Sequence, residues 1–567
     1  MKRFSMKKAL SLTLAAAMLL TTLAGCGKKE EPKPAKSADK PAASSSEKAP
    51  EPAKPAEPKV LRISYTTDIT TLDSSLSYSE KTNEVLANCA ATLFKHDVDG
   101  NLTNEVVKDY NISEDGLTYT FNLRNDFKWT TGDPLTAHDF VYALRRIADP
   151  DTGSSYADTV INAHLKNGEE VVNGEKPVTE LGAAAPDDYT LVLTLSHPCP
   201  YLLTFLGAFI PINQKFCEAQ GDKFGTAIEY QIWCGAYKLT DWQTEYEAIL
   251  EKNPDYPMAD DIKIDTISIK VIKDVNTAVN LFETNELDYT ELTGEQAIQY
   301  KDDPRAVIKP CLMINVLTLC QKRNPILANV NARKAISHVL DKQFVVDEIQ
   351  SNGATIADYL IPYGLAVDEN GKDFRDTTNI PPAYDIELAK EYWEKAKDEL
   401  KLDSYEIKLL TGDSAKSKRV AEFFQSQLEK NLDGVTVTFE YATSKNGIQK
   451  ELDGDFDCTF STWNADFLDL STYTSMYVTG AYINTGRFHN EEYDELCRKA
   501  NDEDVFDREA RWADLRRAEE ILVVDEAGIV PIYQNAKMYL VSERLQGFHN
   551  AFITPNHFFG IMDIVDG

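Results

Sequence analysis

Eight histidines and nine cysteines are the side chains best suited to metal or nucleophilic chemistry in this 567-residue chain. The histidines, His96, His138, His164, His197, His338, His489, His549 and His557, include no pair at i,i+3 or i,i+4. No single helical turn therefore presents two imidazoles to one ion. The sequence contains no H-E-x-x-H, no G-x-S-x-G and no Walker A loop. His489-Asn490-Glu491-Glu492 reads as the exposed start of a helix rather than a metal site. With 91 Asp and Glu in the chain, acidic neighbours are everywhere and single out no general acid–base pair. Apart from Cys26, the cysteines Cys89, Cys199, Cys217, Cys234, Cys311, Cys320, Cys458 and Cys497 form no C-x-x-C and leave disulfide pairing open. This inventory calls for no catalysis, no metal and no cofactor. It makes a secreted hydrolase the rival of a binding protein.

The elements that must position any site alternate β and α without an internal repeat. Leu61 to Tyr65 reads as an opening strand, and Leu117 to Leu123 alternates as a half-buried strand should. Thr136-Ala137-His138-Asp139 looks like a capping box before a helix through Phe140, Val141, Leu144 and Ile147. Tyr189–Leu195 and Ile264–Ile272 are further strands. The clearest unit is later: a strand at Glu406–Leu410, a helix at Lys418–Asn431, a break at Asp433-Gly434, and a strand at Val435–Tyr441. Such a βαβ unit is expected to be parallel and right-handed. The strand Phe456–Trp463 ends in a polar turn near Asp466. Open α/β sheets bind ligands outside the carboxyl ends of their strands, so this end is a candidate site.

The leader says where the chain works. Lys2, Arg3, Lys7 and Lys8 precede an apolar run from Ala9 to Leu20, which is too short to span a bilayer but suits a secretory signal. Residues 28–58 contain only Lys, Glu, Asp, Pro, Ala and Ser, seven of them proline, a composition for a solvated tether. Residues 1–58 carry 11 Lys/Arg against 6 Asp/Glu, which leaves 48 against 85 in the rest. The net charge of -32 argues against nucleic-acid binding, which needs a cationic surface.

Leu23-Ala24-Gly25-Cys26 resembles the lipobox of bacterial lipoproteins, in which the Cys receives a diacylglyceryl group. The body resembles the peptide/nickel-type family of extracytoplasmic solute-binding proteins, particularly the oligopeptide-binding lipoproteins of ABC importers. The resemblance rests on Ser113 through Arg124, Phe127-Lys128-Trp129, Gly132 through Ala137 and Asp139-Phe140-Val141. Thr71-Leu72-Asp73, Gly235-Ala236-Tyr237 with Asp241-Trp242, Asn331 through Ile336 and Ile529 through Tyr533 extend it. It implies an α/β, periplasmic-binding-protein-like fold of the class II type, two-lobed with an additional inserted domain. The boundaries expected from it are 1–25 signal peptide, 26–58 lipidated Cys26 and tether, 59–91 with 233–310 and 533–567 as lobe I, 92–232 inserted domain, and 311–532 lobe II.

The same resemblance implies a monomer on the extracytoplasmic face of the cell membrane, anchored through Cys26, that delivers oligopeptides to the permease subunits of an ABC importer. A metal chelate, an oligosaccharide or a signalling peptide is the alternative ligand. Trp463-Asn464-Ala465-Asp466 matches the family segment whose Asp pairs with the α-ammonium of a bound peptide. From spacing alone Asp466 would instead be a helix N-cap before Leu468–Tyr473. Tyr78, Ser79 and Glu80 match a loop that contacts peptide backbone, and Tyr533 is a candidate cleft wall. Phe460 departs from the pattern, standing where some members carry an Arg near the peptide's carboxyl side, so the anchor for that end is left open.

Overall fold

The computed structural model describes residues 57–97, 101–154, 156–207, 209–402, 404–549 and 557–565. The expected signal peptide, Cys26 and nearly all of the tether lie outside them. Amphipathic alternation yields the strands where it predicts them: Val60–Tyr65, Thr118–Leu123, Thr190–Thr194, Thr266–Val271, Tyr405–Gly412, Val435–Ala442 and Cys458–Trp463. The helix Ala137–Ala148 starts as its sequence requires, with the Asp139 carboxylate accepting from Thr136 N at 2.8 Å and Thr136 Oγ1 at 3.2 Å. Asn490 caps the helix Glu491–Asp502 by accepting from Tyr493 N, as read from the sequence.

Most strands join one mixed sheet. Val60–Tyr65 pairs in parallel with Thr266–Val271 and Tyr289–Leu292 at one end. Tyr405–Gly412 pairs in parallel with Val435–Ala442 and with Cys458–Trp463 at the other, as a βαβ crossover through the helix Ala415–Asn431 dictates. The two ends are linked by the long antiparallel strands Ala306–Leu319 and Ile529–Val541. Their pairing breaks between Pro310 and Ile314, and shifts again between Asn315 and Val316. Proline lacks the N–H that a ladder needs, so the break falls where the sequence demands it.

A separate four-stranded antiparallel sheet is built from Val107–Ile112, Thr118–Leu123, Thr190–Thr194 and Ala183–Asp187. Its inward residues Phe121, Leu191 and Leu193 belong to the same buried cluster as Leu61 and Ile63. Two other large clusters form around Leu312, Ile314 and Tyr473, and around Ile407, Phe424 and Leu428. The eight described cysteines are all free thiols.

One buried polar knot ties the chain end to the first helix, Glu80–Cys89. Glu84, fully buried, accepts from Tyr65 Oη at 2.5 Å, and its Oε2 lies 2.8 Å from His557 Nδ1. Burial works against the Glu84 carboxylate, but His557 and Lys81 outweigh it and hold its pKa well below the usual range. A depressed carboxyl pKa adds stability that is present above the unfolded value and lost as pH falls through the folded one. Glu84→Gln is therefore expected to cost about 3–5 kcal/mol at pH 7. Denaturant unfolding should show this deficit shrinking as pH falls below about 4.

Candidate functional site

The strand Cys458–Trp463 runs between Tyr405–Gly412 and Ala306–Leu319, with Thr462 opposite Asn315 and Trp463 opposite Ile314. Beyond Trp463 the chain leaves the sheet in a loop pinned at several points. Asp469 is clamped by buried Arg511, whose Nη1 and Nη2 donate at 2.8 and 2.7 Å. Asp466 N donates to Thr472 Oγ1 at 3.2 Å. Phe467 is buried and stacks on Tyr201, ring centroids 3.9 Å apart and planes 11° from parallel. Tyr201 precedes the helix Leu202–Leu206, so the stack joins two parts of the chain far apart in sequence.

Between these anchors Asp466 is exposed, and among the described residues its carboxylate makes no hydrogen bond or ion pair. Water reaches the group, but surrounding protein replaces part of its hydration and burial raises its pKa above the ordinary aspartate value. It is not a helix cap. The following helix is Ser471–Thr474, Leu470 occupies the N-cap position, and the Asp466 carboxylate accepts no backbone N–H. The alternative read from spacing alone is thereby corrected: the polar turn is longer than the helix spacing suggested.

The other expected site residues fall into two groups. Trp463, half-buried, packs on the cluster of Leu312, Ile314 and Tyr473, with its indole Nε1–H buried and unpartnered. Ala465 is buried and Asn464 exposed. Tyr533 faces the same strand from the other side, since Asn315 pairs with both Thr462 and Tyr533. Tyr78 is 76% exposed, and Ser79 Oγ accepts from Thr82 N to cap its helix. Burial opposes the Glu80 carboxylate, but Lys537 at 2.7 Å and Lys81 at 3.5 Å hold its pKa down. Glu80 is thus neutralised within the protein, whereas Asp466 is not. Lys537 follows Tyr533 by four residues on one strand, roughly 13 Å, which separates the Tyr78–Glu80 group from the rest.

A cavity of about 300 Å³ opens at the carboxyl ends of Tyr405–Gly412 and Val435–Ala442, the place that open α/β sheets reserve for ligands. Phe460, Thr462, Asn315 and Tyr533 stand in its wall, so it adjoins the Asp466 loop through Thr462 and Trp463. Phe460 meets Phe424 edge-on at 5.8 Å and brings no charge. Sequence reading missed Lys416, Gln350 and Glu451, which also line this space. The signal for Lys416 was its place just past the end of a parallel strand.

The matching family model is "Bacterial extracellular solute-binding proteins, family 5 Middle", over residues 101–485. The chain belongs to this family. It is 28% identical to a dipeptide-binding protein of Lactococcus lactis over 515 residues, covering 88% of this chain and 93% of the relative. Among solved structures, Listeria monocytogenes OppA bound to peptide is 30% identical at a TM-score of 0.70, covering 90% of this chain and all of that one (100%). Two structures of the murein tripeptide-binding protein MppA, one of them from Escherichia coli, are each 25% identical. The unliganded open form gives a TM-score of 0.76, covering 90% of this chain and 98% of its own. The other gives 0.69, covering 90% and 99%. The fold is the two-lobed one expected from the sequence.

A carboxyl group whose pKa is raised on folding weakens the folded state wherever it is ionised. Asp466→Asn is therefore expected to raise the unfolding temperature of the ligand-free protein at pH 7. The gain should fade as pH falls through about 4, where the unfolded aspartate also takes up its proton. Thermal scans of both proteins across pH check this.

Proposed function

We propose that this chain is a lipid-anchored extracytoplasmic receptor that captures oligopeptides between two lobes and hands them to the permease subunits of an ABC importer. The observation that carries the reading is the Asp466 carboxylate, fixed in place, partly desolvated and without a partner of its own. A free α-ammonium supplies the missing charge through a charge-assisted hydrogen bond. The family match, the dipeptide-binding relative and the peptide-bound relative support the same ligand class. Strand edges and half-buried aromatics around the site suit an extended peptide, whose backbone groups offer donors and acceptors whatever its side chains.

In this reading the lobes take the boundaries expected from the sequence. Residues 59–91, 233–310 and 533–567 make lobe I, 311–532 make lobe II, and 92–232 form the insertion. The hinge is the pair of long strands, which change register near Pro310 and Asn315. Closure around a ligand then shifts the population from the open arrangement to one the permease reads. At the other end, residues 1–25 act as the export signal and Cys26 carries the lipid that holds a monomeric body at the membrane surface. No metal or cofactor and no catalytic step enters this account. The body's acidic excess keeps it off anionic polymers.

Calorimetry with alanine tri- and tetrapeptides and their N-acetylated forms tests the reading. Loss of the ammonium is expected to weaken binding about ten- to a hundredfold, the worth of a hydrogen bond to a charged group. Equal affinity for both forms would remove the proposed pairing. Binding of the free peptides should also fall as pH drops and Asp466 takes up its proton, and Asp466→Asn should flatten that fall. Cys26→Ser is expected to move the protein from the membrane fraction to the soluble one, as quantified on immunoblots.

A further inference from the structure

The Asp466 carboxylate accepts no hydrogen bond among the described residues, so its orientation is inherited from the backbone that carries it. That backbone is held by the side chains on either side. Ala465 and Leu470 are buried in the cluster of Leu312, Ile314 and Tyr473. Phe467 is not. It is buried with Leu61, Phe121 and Tyr201, and among the described residues from 311 to 532 it is the only buried member of that cluster. Asp466 therefore stands between two neighbours anchored in different cores. Its backbone has two soft dihedrals, and fixing the residues before and after it takes away most of their freedom.

The socket that receives Phe467 is built from residues 198–205, within the segment 92–232. Pro198 and Pro200 fix φ on either side of Cys199. The Cys199 carbonyl accepts from Tyr119 Oη at 3.3 Å, which ties this stretch to a strand. Tyr201 follows directly. Its hydroxyl donates to Asn162 O at 3.0 Å, and burial raises its pKa, so the donor keeps its proton. Held in this way, the Tyr201 ring lies face to face with Phe467, centroids 3.9 Å apart and planes 11° from parallel. Phe205 meets the Phe467 ring edge-on at 6.5 Å. Arg511 and Thr472, which pin the same loop, belong to 311–532 as Asp466 does. Tyr201 supplies a hold from another part of the chain.

Resting on the peptide reading above, we infer that Tyr201 is a positioning residue for the peptide's amino end: stacked on Phe467, it fixes the backbone that presents the Asp466 carboxylate to the ammonium. It acts through Phe467, by orientation. A hydrogen bond to a charged group depends on angle as well as distance and weakens steeply when either opens. A carboxylate already held in place also gives up less freedom when the ammonium arrives. Preference for a free amino end is then set in part by the segment 92–232, far from Asp466 in sequence. A stack that served the core alone would stabilise the fold and treat all peptides alike. One that orients Asp466 acts on peptides with a free ammonium and not on those without.

The test is calorimetry on wild type, Tyr201→Leu and Tyr201→Phe with trialanine and N-acetyl-trialanine. Leucine keeps the position apolar without a ring to stack, and phenylalanine keeps the ring and gives up only the hydroxyl. The worth of an aromatic pair converts to about two- to tenfold in affinity. Tyr201→Leu is expected to weaken trialanine by that factor and to leave N-acetyl-trialanine unchanged. Tyr201→Phe should restore the wild-type ratio of the two. Phe467→Leu removes the same stack from its other side and should reproduce Tyr201→Leu, with the double variant adding nothing further. Thermal unfolding establishes that each protein is folded at the assay temperature, and Phe467→Leu carries the comparison if Tyr201→Leu is not. Equal weakening of both peptides, or weakening of neither, overturns the positioning role alone. Equal affinity of wild type for the two peptides overturns the ammonium–Asp466 pairing and the positioning role together.

Discussion

A carboxylate that has given up part of its hydration and received no partner is the constraint around which this structure is arranged. Burial alone raises the Asp466 pKa, and no cation within the described residues offsets it. Loop flexibility would let the group turn toward a nearby lysine. This loop does not, because Arg511 grips Asp469 with two hydrogen bonds, Thr472 holds the Asp466 amide, and Phe467 is stacked on Tyr201. The folded chain thus carries a local electrostatic cost at Asp466, which protonation of the carboxylate or a neighbouring positive group would remove. Groups whose ionisation is perturbed in this way cluster at functional sites.

The rest of the fold makes that charge useful. Two long antiparallel strands run through one sheet, and their pairing changes register near Pro310 and again at Asn315. Asp466 is exposed in this arrangement of the chain. A ligand that contacts both sides favours the closed arrangement by its differential affinity and by nothing else. The Phe467–Tyr201 stack gives the acidic loop a contact with a part of the chain far away in sequence.

Local features of this design were legible in the sequence, and contacts distant in sequence were not. Strand alternation, the Thr136–Asp139 cap and the βαβ unit at Tyr405–Ala442 depend on neighbours a few residues away, and their patterns appear directly in the chain. Asp466 was found because its segment resembles a family motif. Its freedom from capping depended on where the next helix begins, which spacing misjudged. Glu84 and His557 are separated by 473 residues, and Tyr201 and Phe467 by more than two hundred, so no periodicity links them. Lys416 looked like any surface lysine. Its place in a cavity wall depends on segments between Asn315 and Tyr533 that only the fold brings together.

The most direct test of the account is a crystal structure of the chain with a bound alanine tripeptide. The account predicts the peptide's ammonium nitrogen within hydrogen-bonding distance of an Asp466 carboxylate oxygen, about 2.7–3.0 Å, with the lobes closed over it. A peptide seated elsewhere, or one with its ammonium in solvent and Asp466 still unpaired, would contradict it.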